Sequence, residues 1–194
     1  MSGYCKIAPG HEFHGPYHDT EYGFPSQDER VLHERLALEI MQAGLSWLIV
    51  LKKRRGMNAA FHDFDVDRVA AYGARDIARL LKDENIIRNR LKVESIIDNA
   101  RRIQALRESH GGFAAWLDVH HPQGKDAWVK LFKKTFRFTG GEVVGEFLMS
   151  LGYLPGAHHD ACPVYRRIER LGPPWARSKK AKSRINRSRE SAKG

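Results

Sequence analysis

The chain is expected to be all-α, on three observations. Apolar residues recur three and four apart in segment after segment between residues 26 and 151. The only two-residue alternation, Phe136-Arg137-Phe138-Thr139, is too short to build a sheet. Glycines, alone or paired, stand where the helical periods stop.

The elements follow in order. Residues 1–25 are rich in Gly, Pro and His and read as an irregular arm. Ser26 and Glu29 resemble a capping box that opens a helix carrying Val31, Leu32, Leu36, Ile40 and Met41 up to Gly44. A second helix is expected to start at Ser46 and end near Gly56. Asp65 or Asp67 can cap a short helix through Ala71, and 74–82 forms another with Ile77, Leu80 and Leu81 inward. A turn at 84–88 leads to a longer helix over 90–109, broken by Gly111 and Gly112. Shorter helices are predicted over 113–119, 126–134 and 142–151.

The chain has 194 residues, enough for one domain with a real core and a tail. The domain is assigned to 1–175 and the tail to 176–194. The tail holds eight Lys/Arg and one Glu, which is +7 of the formal +10 and leaves +3 for the body. Disorder is expected there, and such a charge suits a polyanion or is merely solvated. No run approaches the roughly 18 apolar residues of a membrane span. With no apolar signal core at the N-terminus either, a cytoplasmic protein is expected. Two cysteines are too few for a secreted disulfide framework.

Those cysteines, Cys5 and Cys162, join His18 and His158 as candidate ligands. Two thiolates and two imidazoles make a closed tetrahedral set, which is structural rather than catalytic because no position is left for water. The spacing matches no standard finger. His159 competes with His158, and His11 or His14 with His18; two buried thiols beside two capping histidines would look the same.

Glu39 lies within the apolar run Leu36-Ala37-Leu38-Glu39-Ile40-Met41. A carboxylate in such company either lines a pocket or occupies the exposed side of its helix, since burial without a partner costs several kcal/mol. Gln42 and Trp47 are close in sequence, and the indole could stack on a flat heterocycle. Tyr17 and Tyr22 offer further aromatic faces. The turn Ile86-Ile87-Arg88-Asn89-Arg90-Leu91-Lys92 runs into a helix N-terminus. Its amides and the basic Arg88, Arg90 and Lys92 could hold a phosphate, or the turn is a solvated connector without the usual hairpin glycines.

These same stretches carry a resemblance. Cys5, Tyr17-His18-Asp19, Glu21-Tyr22-Gly23, Leu38-Glu39, Gln42-Ala43-Gly44-Leu45-Ser46-Trp47, the 86–90 turn and residues 152–162 are similar to the DNA-3-methyladenine glycosylase I family over about residues 3–170. The resemblance implies a helix-hairpin-helix glycosylase fold whose termini are joined by structural zinc on Cys5, His18, His158 and Cys162. It implies that Glu39 and Tyr17 hydrogen-bond the excised base, that Trp47 stacks on it, and that Tyr22 lines the same pocket. Glu39 takes the catalytic role, with no aspartate to share it, and Arg88, Arg90 and Lys92 contact phosphate. No hairpin lysine is marked as a Schiff-base nucleophile, so the enzyme is expected to be monofunctional and to leave an abasic site. Its partner is double-stranded DNA carrying alkylated bases, and a monomer without membrane attachment is expected. Ile7 stands where better-known members carry Trp, while Gly145 and Glu146 fall where others have larger or neutral residues. A non-catalytic zinc-stabilised DNA-binding protein is the competing reading, and a zinc-dependent hydrolase a third.

Overall fold

The structure, a computed structural model, describes residues 3–177. The described residues are helical with no strand. Phe138 takes a left-handed backbone, which breaks the short alternation around it.

The arm is more ordered than its composition suggests: α1 spans Tyr4–Ile7 and α2 His14–Thr20. The next helix, α3, is Glu29–Gln42. Its N-cap is Asp28, whose carboxylate accepts from the Arg30 amide at 2.9 Å, and not the expected Ser26. Ser26 sits one turn-width earlier, with its hydroxyl accepting from the Asp28 amide. Ten consecutive residues from Leu32 to Met41 are buried, the signature of a central helix rather than an amphipathic surface one.

Around it come α4 (Trp47–Ala60), α5 (Val66–Ala70), α6 (Ala74–Lys82) and α7 (Arg90–His110). Ser46 and Asp65 are the caps of α4 and α5, as their sequence positions suggest. α4 continues through Gly56 to Ala60 because Met57 and Ala60 find core partners. α7 ends on Gly111 in the left-handed conformation, the standard device for closing a helix. The chain continues with α8 (Phe113–His120), α9 (Lys125–Thr135), α10 (Gly141–Ser150) and α11 (Pro163–Leu171). α3 packs against α4, α5, α7, α8 and α10, so side chains leaving its different faces reach different parts of the molecule.

Trp175 and Ala176 are buried, and the Arg177 guanidinium donates to the Gly172 carbonyl at 2.6 Å. The packed chain therefore runs slightly past residue 175. The rest of the basic tail expected over 176–194 lies outside the described residues. No helix is long and apolar enough to cross a membrane among the described residues.

Candidate functional site: a buried acidic cavity and a Cys/His cluster

α2 presents two neighbouring residues in different directions, because successive helical side chains diverge by about 100°. His18 turns toward the C-terminal chain and Tyr17 toward α3 and α4.

On the His18 side, the four expected ligand residues converge. The Cys5 and Cys162 sulfurs each lie 3.6 Å from His158 Nδ1, and the Cys162 sulfur lies 3.8 Å from His18 Nε2. All four donor atoms fall within 4.8 Å of one another, close enough to share one metal ion. His159, His11 and His14 stay outside the group. Both inward rings are held by their far nitrogens. His18 Nδ1 donates to the Asp19 carboxylate at 2.7 Å, and His158 Nε2 donates to the Tyr22 carbonyl at 2.7 Å. Each bond leaves the other nitrogen as a lone-pair donor facing the cluster. Cys162 is placed by the start of α11, where Pro163 takes the first helical position. Gly23 lets the arm approach this region. Its φ is +86°, and a Cβ there would lie 2.9 Å from Ile168 and 3.0 Å from Ala157.

On the Tyr17 side is a cavity of about 390 Å³. Tyr4, Tyr17, Tyr22, Trp47 and Met149 line it, with Glu39, Gln42 and Glu146 as the polar groups. The rings meet at angles: Tyr17 and Trp47 have centroids 5.1 Å apart, Tyr17 and Tyr22 5.7 Å, Tyr4 and Tyr22 5.5 Å. Among the described residues, no lysine or arginine lines the cavity.

Glu39 is 5% exposed, so it occupies a pocket and not the open side of its helix. Its carboxyl is held well above the ordinary carboxylate range, by burial first and by the Glu146 charge second, against a pull from Arg35. The Tyr17 hydroxyl is buried with no hydrogen-bond partner. A buried orphan donor of this kind, beside a carboxyl, is an arrangement completed by a ligand. The Tyr22 hydroxyl donates to Glu146 Oε2 at 2.8 Å while its carbonyl holds His158, so one residue ties the cavity to the cluster.

Behind Tyr17 a charged network fixes the arm. Arg54 makes paired bonds to Glu21 (2.7 and 2.7 Å) and to Glu34 (2.8 and 2.8 Å). Arg35 donates to the carbonyls of Glu21 and Ser150, both at 2.9 Å. Its guanidinium lies 5.5 Å over the Tyr17 ring, outside the cavity lining.

Three features differ from expectation. Ile7 is 61% exposed and lines nothing in the cavity; Tyr4, one turn earlier on α1, supplies the aromatic wall. Nothing in the sequence marked Tyr4 beyond its place next to Cys5. Gly145 leaves room for the Lys125 stem, whose Cε lies 2.8 Å from where a Cβ would be.

The third is Lys92. It is 5% exposed, and its ammonium donates to the carbonyls of Met41 (2.9 Å) and Ala43 (2.5 Å) at the end of α3. Two of its three N–H donors thus satisfy carbonyls at the last turn of α3, which gives Lys92 a capping role.

Arg88 and Arg90 are exposed, in loose pairs with Glu84 (3.9 Å) and Glu94 (3.2 Å). Neither lines the cavity. The Asn89 side chain caps α7 by accepting from the Lys92 amide. The turn between α6 and α7 is seated on α4. Asn85 lies directly over Gly56, and the Lys53 ammonium donates to the Glu84 carbonyl. The close approach of this turn to α4 is permitted by the absence of a side chain at Gly56.

The comparisons agree with this geometry. The chain is 38% identical over 168 residues to DNA-3-methyladenine glycosylase 1 of Escherichia coli, covering 77% of this chain and 89% of that protein. It is 35% identical over 182 residues to DNA-3-methyladenine glycosylase of Haemophilus influenzae, covering 84% and 98%. The structure of 3-methyladenine DNA glycosylase I from Staphylococcus aureus, solved to explain 3-methyladenine recognition, superposes with a TM-score of 0.74 at 32% identity, covering 83% of this chain and 95% of that one. The family model for methyladenine glycosylase matches residues 8–130, and the chain belongs to that family.

Proposed function

We propose that the chain is a DNA repair glycosylase that hydrolyses the N-glycosidic bond of N3-methyladenine in alkylated DNA and leaves an abasic site. The observation that carries this reading is the Glu39 carboxyl, buried among aromatic walls with no basic residue in the cavity lining among the described residues. Such a group is stabilised by a ligand that brings its own positive charge and N–H donors. The N6 amino group of adenine supplies the donors, and methylation at N3 adds the positive charge that unmethylated adenine lacks.

The residues divide the work. Trp47 stacks on the exposed purine, and Tyr4 and Tyr22 complete the aromatic walls. Glu39 accepts hydrogen bonds from the base, and the unpartnered Tyr17 hydroxyl supplies a further contact. N3-methylation already weakens the glycosidic bond, so the protein has to bind and orient the lesion and admit water. As the bond breaks, its electron pair neutralises the base, water adds to the cationic sugar carbon, and the proton that water loses passes to solvent. Selectivity then comes from binding the charged purine better than the neutral one.

Reaching the lesion requires unstacking it from the duplex. Arg88, Arg90 and the α7 amides would hold phosphate beside it. Their exposed ion pairs are worth at most about 1 kcal/mol each and yield readily to a polyanion. Among the described residues no lysine lines the cavity, which supports a monofunctional reaction without a Schiff base. The protein is read as a cytoplasmic monomer acting on double-stranded DNA.

The metal is proposed to be structural zinc. Zn–S bonds of about 2.3 Å and Zn–N bonds of about 2.0–2.1 Å arranged tetrahedrally give S···N edges of about 3.6 Å. The three observed edges are 3.6, 3.6 and 3.8 Å. Zinc there would bind α1, α2 and the start of α11 into one unit and so position Tyr17 and Tyr4.

The test is incubation of the protein with methylated DNA, followed by identification of free purines by mass. Release of 3-methyladenine with the backbone intact is expected. Bound methylated DNA without any released purine would favour the non-catalytic DNA-binding reading.

A further inference from the structure

The cavity holds more carboxyl groups than its base requires. Glu39 enters from α3 and Glu146 from α10. One carboxylate suffices to match the single charge of a methylated adenine. Glu146 is not an accidental neighbour: the Tyr22 hydroxyl donates to its Oε2 at 2.8 Å, and Tyr22 is itself fixed through its carbonyl by His158.

Among the described residues, no Lys or Arg joins the pair in the cavity lining. Lys125 of α9, whose stem lies against Gly145, is held 3.3 Å from Glu142 and does not line the cavity. Arg35 is committed to the carbonyls of Glu21 and Ser150. The remaining titratable groups in the lining are the phenols of Tyr4, Tyr17 and Tyr22, all pushed up by burial.

We propose that Glu146, anchored by Tyr22, is a specificity-determining residue, a second carboxylate that discriminates a cationic purine from a neutral one of the same shape. The inference rests on the glycosylase reading above and adds a residue to its recognition set. It gives each carboxylate a separate duty. Glu39 is the more deeply buried acceptor, 5% exposed. Glu146 is the charge that Tyr22 keeps from turning out to solvent. It also gives the reaction a direction. The bound nucleotide carries a positive charge that the excised base has lost, so an extra negative charge holds the substrate and releases the product. Glu39 responds to the same charge, since Glu146 is the second cause of its raised pKa.

The test uses the intact protein and two free purines, 3,9-dimethyladeninium, which is permanently cationic, and neutral 3-methyladenine. Affinities are measured by calorimetry for the wild type, Glu146→Gln, Glu146→Asp and Tyr22→Phe. Gln keeps the shape and still accepts from Tyr22, so it removes charge alone. Coulomb attraction across the width of a purine, weakened by water at the cavity mouth, amounts to about tenfold in affinity. The cation-to-neutral affinity ratio should therefore fall about tenfold in Glu146→Gln, with neutral-base affinity changed less than about threefold. Glu146→Asp should retain most of the preference, and Tyr22→Phe should fall between. Tyr22→Phe carries the test should Glu146→Gln fail to fold.

An unchanged ratio in Glu146→Gln overturns the proposal, as does an equal loss for both purines, which would mark a merely structural role. Release of 3-methyladenine from methylated DNA by the wild type, together with an unchanged ratio, would overturn this inference alone. A wild type that neither binds these purines nor releases base would overturn both readings.

Discussion

Replacing Gly56 by alanine sets two known effects against each other. Gly56 lies in the interior of α4, where a glycine costs about 1 kcal/mol relative to alanine, so helix propensity predicts stabilisation. The tertiary structure predicts the opposite. A Cβ at this position would lie 2.3 Å from the Asn85 carbonyl oxygen, 2.7 Å from its Cβ and 2.9 Å from its carbonyl carbon. Two of these three atoms are backbone and cannot swing aside as a flexible side chain would. The turn between α6 and α7 must therefore retreat by about 1 Å, an overpacking strain of about 1–3 kcal/mol. The retreat also pulls at the Asn85 bonds to Asp83, at the Lys53 contact with Glu84 and at buried Ile86. Strain and lost bonds together exceed the helix gain, leaving a net loss of about 2 kcal/mol and a Tm lower by about 4–8 °C for a domain of this size. Scanning calorimetry measures that directly. Because Gly56 lines no part of the base cavity, affinity for free 3-methyladenine should be unchanged while KM for methylated DNA rises. A Tm that rises by the helix-propensity increment would refute the seating of this turn on α4.

Glu39→Gln should lower 3-methyladenine release at least about 100-fold while making the fold more stable at neutral pH. The folded carboxyl binds its proton more tightly than the unfolded one, so its contribution is favourable below the ordinary carboxylate pKa and is lost as pH climbs through the raised folded value. Urea unfolding should show the variant gaining on the wild type as pH rises from 4, and a gap independent of pH would show that burial does not shift this group. Lys92→Met strips two buried carbonyls of their donor and should cost about 1–3 kcal/mol. It should leave the salt dependence of DNA binding intact, whereas Arg88→Ala and Arg90→Ala should each reduce the log–log slope by about 1. A smaller slope for Lys92→Met without loss of stability would return that residue to the phosphate set. Asp19→Ala should weaken metal retention about 10–100-fold during dialysis, and Cys162→Ser should abolish it and lower the Tm. Full retention of metal by Cys162→Ser, measured by elemental analysis, would exclude that sulfur as a ligand.

Much of this molecule was legible in local pattern. α6 begins and ends where periodicity puts it, and Ser46 and Asp65 cap the helices they precede. In each case the deciding contacts lie within four residues, the range over which a sequence reads directly. The arm was misread because Gly and Pro density argues for a loop, yet α2 is held by the Glu21–Arg54–Glu34 network and by His18, whose partners lie 13 to 144 residues away in the chain. The capping role of Lys92 was hidden for the same reason: nothing near it in the chain shows that the carbonyls of Met41 and Ala43 end beneath it.

By itself the sequence determined the helical class, the family resemblance and the ligand types, because periodicity, motif and donor chemistry are properties of residues and near neighbours. Only the tertiary structure decided that Glu39 is enclosed, that Tyr4 and not residue 7 walls the cavity, and that Glu146 joins it under the hand of Tyr22. Solvation and charge coupling arise from atoms brought together across more than a hundred residues, and no local window contains them.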